Sequence, residues 1–531
     1  MRTFAILFQV ALTLSLPTTL ALAIAASNST SKCLPSDETC FPPKSSFDEL
    51  SDSLPTADVI YPSLSRYKSW SDATALHNQR LEKSEHTPYC AVRARSSSDV
   101  MLVVKFCAEN NLLLSIKSTG HCYSGNCVQQ DSVLLDLSLM NDISYSSSDS
   151  SITLQPGSNF DALYALNEET QTQSVGGMCG TVGPVGFSLG GGHGPLIRSY
   201  GLGTDQIISV DLVTAAGELV TVTKASDPDL FWALQGGGGG SFGVVTSITL
   251  RTHPAPPSLT SYVCNYPLSL DSDDNTGDSG VATASMWWSD IMPRLPNEWT
   301  FFSVLLPAPI PLEQNIPEFD KNTMQGLLSL EGLFNGDFAS AEASLSELGL
   351  LDLDKSRQMS CKFENHTSLK AWHESRWFGK TPVPTRNYMS TSFAQKNFDG
   401  KGLAKVAVDA ILSTDNAMSS FFGIQTGGAV SSTDSTSTSI SSAFRNSDML
   451  MEIDANWIRS ANDDAQESWT HNVGRDVAAL DNMAGAYVNE PDPELENWEE
   501  TFWGSNFQRL QEIKSAVDPD AFFECWQCVH A

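Results

Sequence analysis

Between residues 89 and 256 the chain is built from short apolar runs cut by glycine, at 132–139, 152–156 and 207–213, and each run reads as a strand. Residues 210–223 form a predicted hairpin, two alternating arms joined through Ala215-Ala216-Gly217-Glu218. The apolar stretch 112–116 adds a further strand, and 99–110 reads as a helix because Val100, Val103, Val104 and Cys107 recur at helical spacing. After Pro254-Ala255-Pro256-Pro257 the pattern changes. Helices are expected at 322–334 and 403–412, tryptophans gather at 287, 288, 299, 372 and 377, and the Ser/Thr-rich stretch 431–442 has no apolar period and reads as a surface loop. The fold class is therefore α+β, and 531 residues exceed what one core usually serves, so two domains are expected.

At the N-terminus Arg2 precedes an apolar run over 4–16 and a small-residue stretch ending at Ala25-Ala26, the layout of a secretory signal peptide over 1–25. The run is shorter than the ~20 residues of a membrane span, so no membrane partner is expected. Sequons at Asn28 and Asn365 suit an exported chain. With 31 Lys plus Arg against 62 Asp plus Glu, the net charge of -31 repels nucleic acid and anionic membranes and leaves a small molecule as the expected partner. Eleven cysteines in an oxidising compartment leave at least one unpaired.

The densest signal runs from Gly176 to Gly194 and is followed by a second run, Gly236 to Gly240, that enters a strand at Ser241-Phe242-Gly243-Val244-Val245. So much glycine places backbone where side chains do not fit, as close approach to a large or phosphorylated ligand demands. The order is wrong for the doubly wound dinucleotide fingerprint. Upstream, Lys117-Ser118-Thr119-Gly120-His121 follows a strand and could nest a pyrophosphate. Taken alone, His121 reads more readily as a satisfied structural histidine than as a ligand.

These motifs resemble those of the berberine-bridge-enzyme-like branch of the vanillyl-alcohol-oxidase flavoproteins, across nearly the whole chain. The family's R-S-G-G-H motif is met by Lys117-Ser118-Thr119-Gly120-His121, with departures at the first and third positions, and its G-x-C-x-x-V-G-x-x-G by 177–186 at every fixed position. The resemblance implies a two-domain PCMH-type FAD-binding fold with an inserted α+β substrate-binding domain: an FAD-binding domain over 26–256, a substrate-binding domain over 257–486 and a returning segment over 487–531. It implies FAD held through two covalent bonds, from His121 to the flavin 8α carbon and from Cys179 to C6. Lys117, Ser118, Thr119, Gly120, Val182, Gly183, Gly186, Gly190, Gly191, His193, Gly194, Gly243, Val244, Val245 and Asn489 are implied to line the cofactor. Removing Cys179 leaves ten cysteines for five disulfides, and the resemblance pairs Cys33 with Cys90.

The implied reaction passes hydride from an alcohol or amine carbon to flavin, with oxygen reduced to hydrogen peroxide. Where many relatives show Y-x-N-Y, this chain reads Tyr487-Val488-Asn489-Glu490, so Tyr487 and Glu490 are the candidate bases, beside an unidentified acid of the insertion. The small Val182 fits the family's position for oxygen access. A carbohydrate donor is expected, with an alkaloid or other secondary metabolite as the rival, and a flavin-retaining binding protein without catalysis as the non-enzymatic alternative. The tryptophans read first as core and second as sugar-stacking surfaces. Two other readings carry less weight: Gly186-Phe187-Ser188-Leu189-Gly190 as a hydrolase elbow, which lacks the preceding buried strand, and Cys525-Trp526-Gln527-Cys528 as half of a zinc site, where an exported chain favours a disulfide. No metal is expected, and the chain is expected to be a monomer.

Overall fold

The computed structural model describes residues 32–62, 67–81, 86–268, 280–307, 325–352, 360–376 and 385–531. The expected signal peptide, the Asn28 sequon and Trp377 lie outside them. Lys32–Ala531 is one compact unit, and among the described residues no helix is long and apolar enough to cross a membrane.

Three of the four sheets among the described residues organise the fold. Cys90–Arg93, Val133–Asp136 and Leu114–Lys117 pair in parallel, with Val59–Ile60 antiparallel at one edge. The parallel crossover runs through the helix Ser97–Glu109, capped by a reciprocal Ser96–Asp99 box, and it buries Val100, Val103, Val104 and Cys107 as its spacing predicts. A five-stranded antiparallel sheet follows, in the order Ile143–Ser146, Ser151–Leu154, Val244–Arg251, Ile207–Val213, Leu219–Val222. The predicted hairpin is its last pair.

The largest sheet has eight antiparallel strands drawn from Leu259 to Ala484, with Trp299–Pro307, Ser419–Gln425, Ser447–Trp457 and Arg386–Gln395 side by side at its centre. Alternation along a strand divides its two faces. In Ser447–Trp457, Met449, Met451 and Ile453 face an apolar core shared with the helices Gly400–Ser413 and Asp463–Ala478, leaving Glu452 and Asp454 for the opposite face.

The structure corrects several expectations. Gly326–Phe334 is a strand, not a helix; it is buried on both faces between two partner strands, so its apolar run carries no clear period. The stretch 431–442 is a surface loop only in part. Thr438 to Ser441 are buried because the Ser439 N–H and hydroxyl bond the Gln235 carbonyl and Ile440 packs on Gly236. Other expectations hold: Trp287, Trp288, Trp299 and Trp372 are core, the first two donating to the Ser303 hydroxyl, so none offers a sugar-stacking surface. Ser188 is fully buried on the helix Pro184–Leu189 and is no exposed nucleophile.

Cys33 pairs with Cys40, not Cys90, and the other bridges are Cys122–Cys127, Cys264–Cys361 and Cys525–Cys528. The five expected disulfides are therefore four among the described residues. Cys90 and Cys107 stay as thiols on the strand and helix of the first core, where burial pushes Cys90 up to about 12. Closing Cys525–Cys528 also removes the thiolates a zinc site would need.

At the end of the parallel strands Lys117 Nζ lies 2.8 Å from Asp136, whose other oxygen takes Arg93 at 3.0 Å, with both Lys117 and Asp136 buried. Removing one member of such a pair strands a buried charge. Asp136→Ala should lose ~3–5 kcal/mol of stability, read as a lower unfolding midpoint. A change within 1 kcal/mol, on the order of a surface substitution, would show that the pair does not hold the strand ends.

Candidate active site

One cavity of about 390 Å³ collects most of the residues singled out above. Ser118, Thr119, Gly120, His121, Cys179, Val182, Gly183, Gly186, His193, Gly243, Val245, Tyr487, Asn489 and Glu490 all line it. Lys117, Gly190, Gly191, Gly194 and Val244 do not. Lys117 is engaged by Asp136, Val244 belongs to the core under the parallel sheet, and the three glycines lie behind the wall. A Cβ on Gly190 would overlap the Asn489 side chain, and one on Gly194 would overlap the Gly176 carbonyl oxygen.

Gly120 turns the chain out of its strand at φ 87°, where a Cβ would sit 2.6 Å from the Ala75 carbonyl oxygen. His121 follows directly. Its Nε2 lies 2.9 Å from Thr181 Oγ1, and its ring stacks on His77 with centroids 4.2 Å apart. Burial, with His77 adding to it, drives the imidazole down to about 3, so it is neutral, and its buried Nδ1 has no hydrogen-bond partner. Cys179 is a half-buried free thiol whose Sγ lies 3.4 Å from the same Thr181 hydroxyl. The Cys179–Val182 turn is fixed by the start of the helix Phe160–Thr170, since Asp161 N–H donates to Gly180 and Phe160 N–H to Val182.

A second group faces the cavity from the large sheet and the returning segment. Tyr487 to Glu490 is a turn closed by the Glu490 N–H on the Tyr487 carbonyl. The Tyr487 hydroxyl accepts the Gly192 N–H at 2.8 Å and the Asn489 amide at 2.9 Å. Burial and the nearby Glu490 hold its pKa far above the ordinary range. His193 Nε2 lies 3.0 Å from Glu490 and 3.3 Å from Glu452, and burial lowers its own basicity. Glu452 and Asp454, alternate residues of one strand, join Glu490 with Met389 and Phe422 of the neighbouring strands.

All three acids are raised, mainly by burial. Glu490 moves up to about 8 and Asp454 to about 7, while Glu452 is held protonated by burial and the charge of Glu490, with which it shares a hydrogen bond. Donor atoms of His193, Glu452 and Glu490 fall within 4.8 Å of one another, a spacing compatible with a cation, which the sequence did not suggest. Sequence reasoning also missed Glu452, Asp454, Tyr123 and Thr181. The available signal was Met449 to Asn456, where two acids interrupt an otherwise apolar strand; Tyr123 sits two residues beyond His121 and lines the cavity.

A cavity rich in glycine backbone, with His121 and the free thiol of Cys179 on its wall and no Lys or Arg among its described lining residues, suits a large flat cofactor bound through N–H groups. An FAD-binding-domain family model matches residues 88–223, and a berberine and berberine-like model matches 486–530. An FAD-linked oxidoreductase of Aspergillus flavipes is 27% identical over 93% of this chain and 81% of its own. A xylooligosaccharide oxidase of Thermothelomyces thermophilus is 28% identical over 87% and 90%. The solved structure of a BBE-like protein from Physcomitrella patens superposes with a TM-score of 0.77 at 21% identity, covering 91% of this chain and 98% of that one. The fold is thus that of the PCMH-type flavoproteins, and the chain is an FAD-dependent oxidoreductase. Its C-terminal end carries a berberine-like domain, and its fold is shared with the BBE-like protein above.

Folding lifts Glu490 from 4.5 to about 8, so between those values the folded chain holds a proton that the unfolded chain has released. The resulting stability is full below pH 4.5 and is lost as pH rises through about 8. Glu490→Gln should therefore flatten the fall of the unfolding midpoint across that window, and an unchanged slope would place the proton elsewhere.

Proposed function

We propose that this chain is a secreted oxidase that holds FAD through bonds from His121 and Cys179 and oxidises an alcohol carbon of a neutral carbohydrate, with dioxygen as final acceptor. The observation that carries this reading is the convergence on the Thr181 hydroxyl of His121 and Cys179, which both line the cavity that also contains the Glu452–Glu490 pair. Both side chains fit covalent tethering, the histidine through its unpartnered Nδ1 and the cysteine as a thiol spared from disulfides. We further propose residues 26–256 with 487–531 as the FAD-binding domain and 257–486 as the substrate-binding one. The oxidising compartment is supported by the four disulfides.

When bound, flavin supplies the hydride acceptor and the route to hydrogen peroxide. The remaining work falls to the chain. Glu490 in its ionised form takes the donor hydroxyl proton. Protonated Glu452 and His193 brace that carboxyl from the side, and Tyr487, fixed by Gly192 and Asn489, orients the donor. Val182 keeps a small side chain on the cavity wall, which supports access of oxygen. The xylooligosaccharide oxidase among the relatives supports a carbohydrate donor. A basic amine donor is the second reading, favoured by three carboxyl groups with no Lys or Arg among the described lining residues.

Anaerobic mixing with neutral oligosaccharides, amino sugars and aromatic amines should bleach the flavin absorbance with one class only. No bleaching by any donor would leave a binding protein. Replacing Glu490 by Gln should lower kcat by ~10²–10⁴-fold, and the wild-type profile of kcat/KM should rise with pH toward about 8, because the base acts ionised. A profile already flat from pH 5 would exclude Glu490 as that base.

A further inference from the structure

Thr181 occupies a position that the oxidation itself does not use. Its hydroxyl lies between the two tether candidates, 2.9 Å from His121 Nε2 and 3.4 Å from Cys179 Sγ, in a turn anchored to the helix Phe160–Thr170. A hydroxyl can accept one hydrogen bond and donate another at once. If Nδ1 is to form a bond to carbon, the ring proton must sit on Nε2, and Nε2–H then donates to Thr181 Oγ1. That leaves the Thr181 O–H to donate to the Cys179 sulfur and fix its direction. His77, stacked on the opposite side, limits the ring's rotation.

We propose that Thr181 is the positioning residue for flavin attachment: its hydroxyl selects the His121 tautomer that presents Nδ1 and orients the Cys179 sulfur, so that one side chain governs both bonds. This rests on the two-tether reading above. In each attachment the side chain loses its N–H or S–H hydrogen and the flavin carbon, 8α or C6, loses one hydrogen. The new N–C or S–C bond forms, and the two hydrogens with their electrons remain on the ring as the reduced flavin. Dioxygen removes them as hydrogen peroxide, once per bond. Neutral His121 is suited to the role, since an imidazolium would have no lone pair to offer; burial and His77 keep it unprotonated at neutral pH.

The test is peptide mass spectrometry of freshly produced full-length protein and of the same protein after incubation with FAD in air. In wild type, the peptides bearing His121 and Cys179 should both carry flavin mass. Thr181→Val, which keeps the shape and removes the hydroxyl, should slow formation of the doubly attached species by about tenfold, the scale of one lost hydrogen bond. Thr181→Ser should restore it. Thr181→Ala runs in parallel, so that a packing defect in the valine variant cannot decide the result. Equal doubly attached fractions in wild type and both hydroxyl-free variants at the earliest time would overturn the proposal while leaving the tethers intact. Absence of flavin mass on both wild-type peptides would overturn the two-tether reading itself, and this proposal with it.

Discussion

Where the turn at Gly120 passes Ala75, and where Gly194 crosses Gly176, main chain meets main chain too closely for any side chain between them. The chemistry-bearing residues are neighbours of those crossings: His121 comes one residue after the first, His193 one residue before the second. Cys179 follows Gly177, against which Phe160 and Phe187 pack. Flexible loops could not hold an imidazole and a sulfur at hydrogen-bonding distance from one hydroxyl. The glycines do so because close packing leaves the backbone a single path.

The cradle is completed from far along the chain. Arg445 makes a bidentate pair with Asp205 at 2.6 and 2.8 Å, and the same carboxylate accepts the Leu202 N–H, so the 200–205 turn and the helix Ser442–Arg445 that leads into the large sheet are held by one carboxylate. Lys514, fully buried, bonds Asp518 and the carbonyls of Ser241 and Phe523, tying the last helix to the end of the second glycine run. Such pairs add little net stability when both charges are desolvated, but they tolerate only one arrangement. Their role here is to set register between segments that are hundreds of residues apart.

The sequence made the half of the cavity built on local motifs legible. Glycine spacing gives away a backbone surface, and His121 and Cys179 sit inside those motifs, so the cradle could be read in order along the chain. The acids could not. Glu452 and Asp454 reach the cavity because the strand Ser447–Trp457 lies inside an eight-stranded sheet with its Met449, Met451 and Ile453 face against helices, and which face meets those helices is set by tertiary packing rather than by any local motif. Gly326–Phe334 was misread for a related reason: a strand buried on both sides loses the alternation that marks one. The cysteine pairing was not legible either: Cys33 and Cys90 belong to one core, yet Cys33 bonds Cys40, seven residues along the chain. Lys117 shows the limit of motif matching, since it occupies the first motif position but its charge is used by Asp136.

The two ends of the cavity follow opposite electrostatic rules, and this decides what each can bind. At the glycine end there is no Lys or Arg among the described lining residues, so an anionic group must be held by backbone N–H donors, which lose no rotamer entropy when they bind. At the other end three carboxyls are crowded together in a chain of net charge -31, and burial, mutual repulsion and the field of the whole protein all favour retention of protons. Glu452 keeps its proton in the hydrogen bond to Glu490, which titrates near 8, so the Glu490 carboxyl meets a ligand as a donor when protonated and as an acceptor when ionised. A hydroxyl group is both donor and acceptor as well, so it can satisfy the pair without bringing in charge. A carboxylate donor would meet only acceptors and repulsion once Glu490 ionised. The discrimination therefore comes from proton occupancy, and it would be lost if the acids were exposed enough to ionise at their ordinary values.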